Sequence, residues 1–175
     1  MIPFIEQAKS YASYHKKAAT RYSHMAGIPL IILSLMILLG FIHVVIIGVL
    51  DVNVAIIATM ALLAYYFRLD WRLALALTPV LVILLWIASF FSHDGPTAHA
   101  LLSFLIIFVI GVALPFISHF IEEKRLTLSE NLWQVLIAPL FMVAEVFFWA
   151  GRMKELNEAI YGKKPVKKQN DASEN

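Results

Sequence analysis

Five apolar runs dominate this chain, and several are far longer than the buried helix of a small soluble domain: Ile28–Leu50, Val54–Phe67, Leu73–Phe91, Leu101–Ile121 and Leu132–Ala150. About 20 such residues in a helix cross the ~30 Å hydrocarbon layer of a bilayer. The first, third and fourth runs reach that length. The second is short and needs Tyr65, Tyr66 and Arg68 at the membrane surface to anchor it. The fifth is interrupted by Pro139 and Glu145. With 61% hydrophobic and 15% charged residues, the expected fold is an all-α, polytopic membrane helical bundle of four to five membrane segments. Residues 1–161 form a single membrane domain, and the polar stretch 162–175 is expected to be disordered.

A different pattern precedes the first run. Between residues 3 and 22, Ile5, Ala8, Tyr11, Ala12, His15, Ala18, Ala19 and Tyr22 recur at three- and four-residue spacing, with Lys9, Lys16, Lys17 and Arg21 around the remainder. This predicts an amphipathic N-terminal helix, lying in the headgroup region or packed on the ends of other helices. Met1-Ile-Pro-Phe-Ile-Glu6 lacks the basic start and apolar core of a cleaved signal peptide.

Charge sets the orientation. Basic residues precede the first run, flank the turn Arg68–Arg72 and follow the fourth run as Lys124 and Arg125, whereas the loops after the first and third runs carry none. The positive-inside rule places the N-terminal segment, His24 and the end of the fourth run together on the cytoplasmic face. The basic residues after the fifth run join them only if that run bends back, which Pro139 would permit in a re-entrant segment. The net charge of +2 gives no reason to invoke nucleic acid.

Cysteine is absent, so a metal would have to be held by His, Asp and Glu. His119 and Glu123 are one helical turn apart and can present two ligands to one ion, or simply form a surface hydrogen bond. His15 and His24 are nine residues apart, roughly 900° of helix, and fall on opposite sides unless the helix breaks between them. Thr20–Ser23 is the expected place. Otherwise His15 packs on the stripe and His24 caps the membrane helix. Imidazoles with one carboxylate are the ligands of non-haem Fe(II) oxygenases. Arg125, Arg21 and Lys17 are available for a substrate carboxylate. His43 falls within the first run, and His93 and His99 belong to the opposite loop. Glu145 is a catalytic candidate as a charge in an apolar stretch, or else a buried structural hydrogen-bonding group.

Tyr14-His15, His24 and Gly27-x-Pro29, followed by His119-x-x-x-Glu123-x-Arg125, Asn131-Leu132, Gln134, Ala138-Pro139 and Glu145, resemble the signatures of the 2-hydroxy fatty acid dioxygenases. The likeness extends over nearly all of the chain before the tail. It departs at Thr20, where Asn is usual, at Ser118, where Gly is usual, and at Leu126-Thr127-Leu128, which replaces Pro-Ala-Leu. The resemblance implies an Fe(II)-dependent enzyme that uses O2 to shorten a 2-hydroxy fatty acid by one carbon, releasing CO2. It implies His15, His24, His119 and Glu123 as metal ligands, Arg125 and Tyr14 at the substrate, and no organic cofactor. A bacterial inner membrane is the expected location ahead of the endoplasmic reticulum, with membrane lipid as a neighbour. A small transporter or channel, or a non-catalytic membrane protein that keeps the family frame, are the alternatives.

Overall fold

The computed structural model describes residues 4–14, 18–46, 50–122 and 128–162. Seven helices and one hairpin are present among them: α1 (Phe4–Tyr14), α2 (Ala18–Gly40), β1 (His43–Ile46), β2 (Leu50–Asn53), α3 (Val54–Leu69), α4 (Trp71–Ser92), α5 (Ala98–Glu122), α6 (Leu128–Trp149) and α7 (Lys154–Tyr161). The architecture is all-helical apart from the hairpin. Three stretches are long and apolar enough to cross a membrane: Arg21–Gly40, Trp71–Ser92 and Ala98–Ile117. The apolar α3 has 16 residues.

The first membrane helix begins earlier and ends earlier than the run Ile28–Leu50. Ala18 and Ala19 are strong helix formers that extend it backwards, and the chain remains helical through Thr20–Ser23, where a break was expected. At the other end Gly40 stops the helix. The β-branched Val44, Val45, Ile46 and Val52 then favour an antiparallel hairpin, in which His43 pairs with Asn53 and Val44 with Val52. His43 is therefore an exposed strand residue rather than part of a membrane helix.

Asp70 makes the turn between α3 and α4. Its N–H bonds the Tyr66 carbonyl at 3.0 Å, closing α3. Its carboxylate accepts from Arg72 N at 2.9 Å and Leu73 N at 3.1 Å, opening α4. One residue thus satisfies backbone groups of two helices.

The pair α2 and α5 packs closely and antiparallel. A Cβ added at Gly27 would lie 2.5 Å from Pro115 Cδ and 2.7 Å from the Gly111 carbonyl, and one at Gly111 would lie 2.9 Å from Ile31 N. Just beyond, the Ser23 hydroxyl donates to the Leu114 carbonyl. Small residues let the backbones touch, as in other membrane helix pairs. Far from this crossing, Gly40 meets Ser92, so α2 and α4 finish at the same end.

The chain does not bend at Pro139, which lies inside a continuous α6. The bend comes at Ala150–Met153, where Gly151 (φ 72°) and Met153 (φ 54°) are left-handed. Helices Leu136–Trp149 and Lys154–Tyr161 meet there at 116°. Several partners of α6 come from the end where α2 starts and α3 finishes. Tyr66 Oη donates to the Leu136 carbonyl at 2.7 Å, and the Phe141 ring lies 4.7 Å from that of Tyr11. Glu145 meets Arg21, and Trp149 lies 5.7 Å from Tyr22. Against this end α1 buries Phe4, Ala8, Tyr11 and Ala12 and packs on α6 and α7. It stops at Tyr14, short of the 3–22 expected. The stretch 163–175, expected to be disordered, lies outside the described residues.

Replacing Gly27 by Val puts methyl groups against fixed backbone. It is expected to lower stability by about 1–3 kcal/mol, read as detergent-solubilised thermal unfolding. Gly95→Ala, at φ 76° with nothing within 4 Å, should cost only about 1 kcal/mol from backbone strain.

Candidate functional site

Four helix segments converge at the α2 start. Arg21 and His24 come from the first turns of α2, Glu145 from the end of α6, Tyr11 from α1 and Tyr161 from the last turn of α7. Glu145 is 4% exposed. Arg21 Nη1 donates to its Oε2 at 3.3 Å, and the Tyr161 hydroxyl donates to Oε1. Both carboxylate oxygens are thus engaged, one by a cation and one by a phenol. Desolvating a carboxylate in this way is tolerable only with such partners.

The second half of the cluster is Tyr11 with His24. Tyr11 Oη lies 3.3 Å from His24 Nδ1, with the rings edge-to-face at 6.3 Å. Burial pushes the Tyr11 phenol above its usual range, and the nearby Glu145 carboxylate and Tyr161 add to the shift. Tyr11 is therefore a neutral phenol at ordinary pH. Its OH donates to an unprotonated Nδ1, or its oxygen accepts from Nδ1–H, according to the imidazole tautomer.

Of the residues singled out in the sequence, His24 and Glu145 lie at this end with their side chains described. The backbone of His119 belongs to α5 and that of Tyr14 is the last residue of α1. His15, Glu123 and Arg125 lie outside the described residues. The α2–α5 register runs from Ile31 beside Gly111, through Gly27 beside Pro115, to Ser23 beside Leu114. The next turn of α5, carrying His119, therefore lies level with the start of α2. By contrast, His43, His93 and His99 occupy the other end, with Gly40 and Ser92. Among the described residues, no three His, Asp or Glu side chains come together as a metal site.

Two members escaped the sequence reading. Tyr11 sits on the buried stripe with Ala8 and Ala12, and its hydroxyl is what distinguishes it from a membrane anchor. Tyr161 ends a short amphipathic helix, Lys154–Tyr161, with Gly162 as its stop. The sequence reading assigned this stretch neither as a helix nor as a partner for Glu145. Arg21, considered for a substrate carboxylate, is paired with Glu145.

A family match covers residues 1–150, that of Mpo1-like, described as 2-hydroxy-palmitic acid dioxygenase Mpo1-like. The chain belongs to this family. No curated protein and no solved structure matches it. The matched region includes His15, His24, His119, Glu123 and Glu145 and ends before α7.

Arg21→Ala leaves the Glu145 carboxylate buried without its cation. Because Arg21 itself is partly exposed, a loss of about 2 kcal/mol is expected. Adding Glu145→Gln to Arg21→Ala should restore more than half of it, read from unfolding of the four proteins in a double-mutant cycle.

Proposed function

We propose that the chain is an Fe(II)-dependent membrane enzyme that converts a 2-hydroxy fatty acid and O2 to the acid one carbon shorter, with release of CO2 and water. The supporting observation is family membership over residues 1–150, joined to a polar cluster gathered at one end of an otherwise apolar bundle. The lipid substrate then needs only to bring its head to that end. The charge pattern supports a site facing the cytoplasm, and a bacterial inner membrane is the host proposed ahead of the endoplasmic reticulum.

His15, His24, His119 and Glu123 would hold the iron, a nitrogen and oxygen donor set that fits this metal by type. The metal would supply O2 activation and the oxidative cleavage of the bond between C1 and C2. His24 lies in the second turn of α2, and the turn bearing His119 lies level with the start of that helix on the neighbouring α5, which supports their sharing an ion. For His24 to bind through Nε2, its Nδ1–H must donate to the Tyr11 oxygen, making Tyr11 a positioning residue. Arg125 and Tyr14 would receive the carboxylate and hydroxyl of the substrate. Glu145 does not need to touch the substrate in this reading. Through Arg21 and Tyr161 it fixes α2, α6 and α7 around the ligands.

A transporter or channel requires polar groups along the membrane depth. Among the described residues the buried polar side chains are Ser34, Thr59, Ser92 and Glu145. Ser34, Thr59 and Ser92 bond back to their own helices, at Ile31 O (2.7 Å), Ala55 O (2.7 Å) and Ala88 O (3.1 Å). Glu145 is the buried charge that remains, and it is at the end.

Purified full-length protein should carry iron and release CO2 from 2-hydroxypalmitic acid only in the presence of O2. His24→Ala and His119→Ala should each lose both properties. Unchanged turnover in His119→Ala would overturn the ligand assignment, and absence of turnover from iron-loaded wild type would overturn the reaction. Tyr11→Phe should weaken iron binding roughly 10- to 100-fold, measured by chelator competition.

A further inference from the structure

Beneath the polar cluster lies a cavity of about 360 Å³ between α2, α4 and α6, and every residue lining it is apolar. Three helical rows form its walls. On α2 the row is Met25, Ile28 and Ile32, and Arg21 continues it one turn towards the polar end. On α4 it is Leu77, Leu81 and Leu84. Pro139, Met142, Val143 and Val146 supply the α6 row, and Glu145 is adjacent to the last of these. The α2 row of the cavity thus leads, one turn beyond Met25, to Arg21, which is paired with Glu145.

Its floor and rim differ. Ile28, Leu77 and Leu81 are buried, whereas Val80 and Val146 are about half exposed on the bundle's outer surface. The cavity thus opens sideways, between α4 and α6, in the region where the bundle would meet hydrocarbon. An opening towards the lipid, apolar walls and a polar Arg21–Glu145 pair one helical turn beyond Met25 together match one occupant: an amphiphilic acid entering from the bilayer tail-first. Glu145 occupies one direction around the Arg21 guanidinium, whose five N–H donors exceed what that contact uses.

We infer that this cavity seats the acyl chain of a long-chain 2-hydroxy carboxylic acid, holding its head at the Arg21–Glu145 end, and that Ile32, Leu81 and Leu84 limit its length. The inference rests on the substrate class proposed above. It adds where the chain lies, how it enters and which residues measure it. The distance from Arg21 to Ile32 is about 16 Å along α2, so a bulkier residue near the floor shortens the chain that fits.

The test uses the full chain in phosphatidylcholine nanodiscs under argon, so that nothing is turned over. The probe is 2-hydroxypalmitic acid carrying a diazirine near its methyl end. Photolysis should place adducts on peptides containing Ile32, Leu81 or Leu84, and excess unlabelled 2-hydroxypalmitic acid should reduce them at least tenfold. Val143→Trp, at a half-buried wall position, should reduce capture tenfold as well. Leu81→Trp should do the same if it folds. Leu102→Trp, on the exposed face of α5, should leave capture unchanged. Adducts spread over Trp86, Phe90 and Leu102 without competition would mean contact with surrounding lipid only and overturn the inference. Competition by palmitoyl phospholipid equal to that by the free acid would also overturn it, assigning the cavity to a structural lipid. Capture in the cavity by iron-loaded protein that makes no CO2 in air would sink the dioxygenase reading alone. CO2 release without capture there would sink the cavity assignment alone.

Discussion

Close contact between α2 and α5 governs where the polar residues of this protein can meet. In a bilayer, helices gain nothing by hiding apolar surface from lipid that is itself apolar, so packing and hydrogen bonds must hold them. Gly27 and Gly111 let the two backbones approach where any side chain would collide with Pro115 or Ile31. The Ser23 hydroxyl then bonds the Leu114 carbonyl, about a turn from the Gly111 carbonyl, whose usual helical donor Pro115 lacks. This contact fixes the register of the two helices. Moving either by one turn would change which turn of α5 lies beside the start of α2, whatever the rest of the bundle did.

The Arg21–Glu145 pair sets the remaining geometry. A buried carboxylate in an apolar helix is a liability unless a cation and a hydrogen-bond donor meet it, and here they come from different elements: Arg21 on α2 and Tyr161 on α7. The pair ties the end of α6 to the beginning of α2, so α6 lies across this end of the bundle with Trp149 beside Tyr22. The left-handed residues Gly151 and Met153 then turn the chain through 116° and bring Tyr161 back towards the carboxylate. Specific placement, more than net stability, is what such a buried pair contributes in this arrangement.

The membrane class was legible because hydrocarbon imposes a length and a composition that few other environments require. The turn at Asp70 was legible too, since charged residues interrupt two apolar runs there. The hairpin was not, because β-branched residues are equally at home in a membrane helix, and hydropathy does not distinguish Val44 in a strand from Val44 in a span. Pro139 misled for a related reason. Proline is a helix breaker in water, but a membrane helix can retain it, and the actual bend used glycine and a left-handed methionine. At the candidate site, His24 and Glu145 stood out as polar groups against an apolar background. Tyr11 and Tyr161 did not, since tyrosine at a membrane surface is ordinary and its role is decided by which hydroxyl reaches which buried atom.

That distinction explains why the cluster reads as one unit. Tyr11 packs its ring on Phe141 of α6 at 4.7 Å while its hydroxyl meets His24 of α2. Tyr161 packs near Phe148 of α6, with ring centroids 6.4 Å apart, while its hydroxyl meets Glu145. Each tyrosine thus joins apolar packing on α6 to a polar contact that orients one side chain. Two helices outside the membrane spans, α1 and α7, in this way fix the orientation of groups at the ends of helices inside them. The reaction proposed above on a lipid head would use this division of labour, the spans and α6 accommodating an apolar tail while α1 and α7 hold the polar groups.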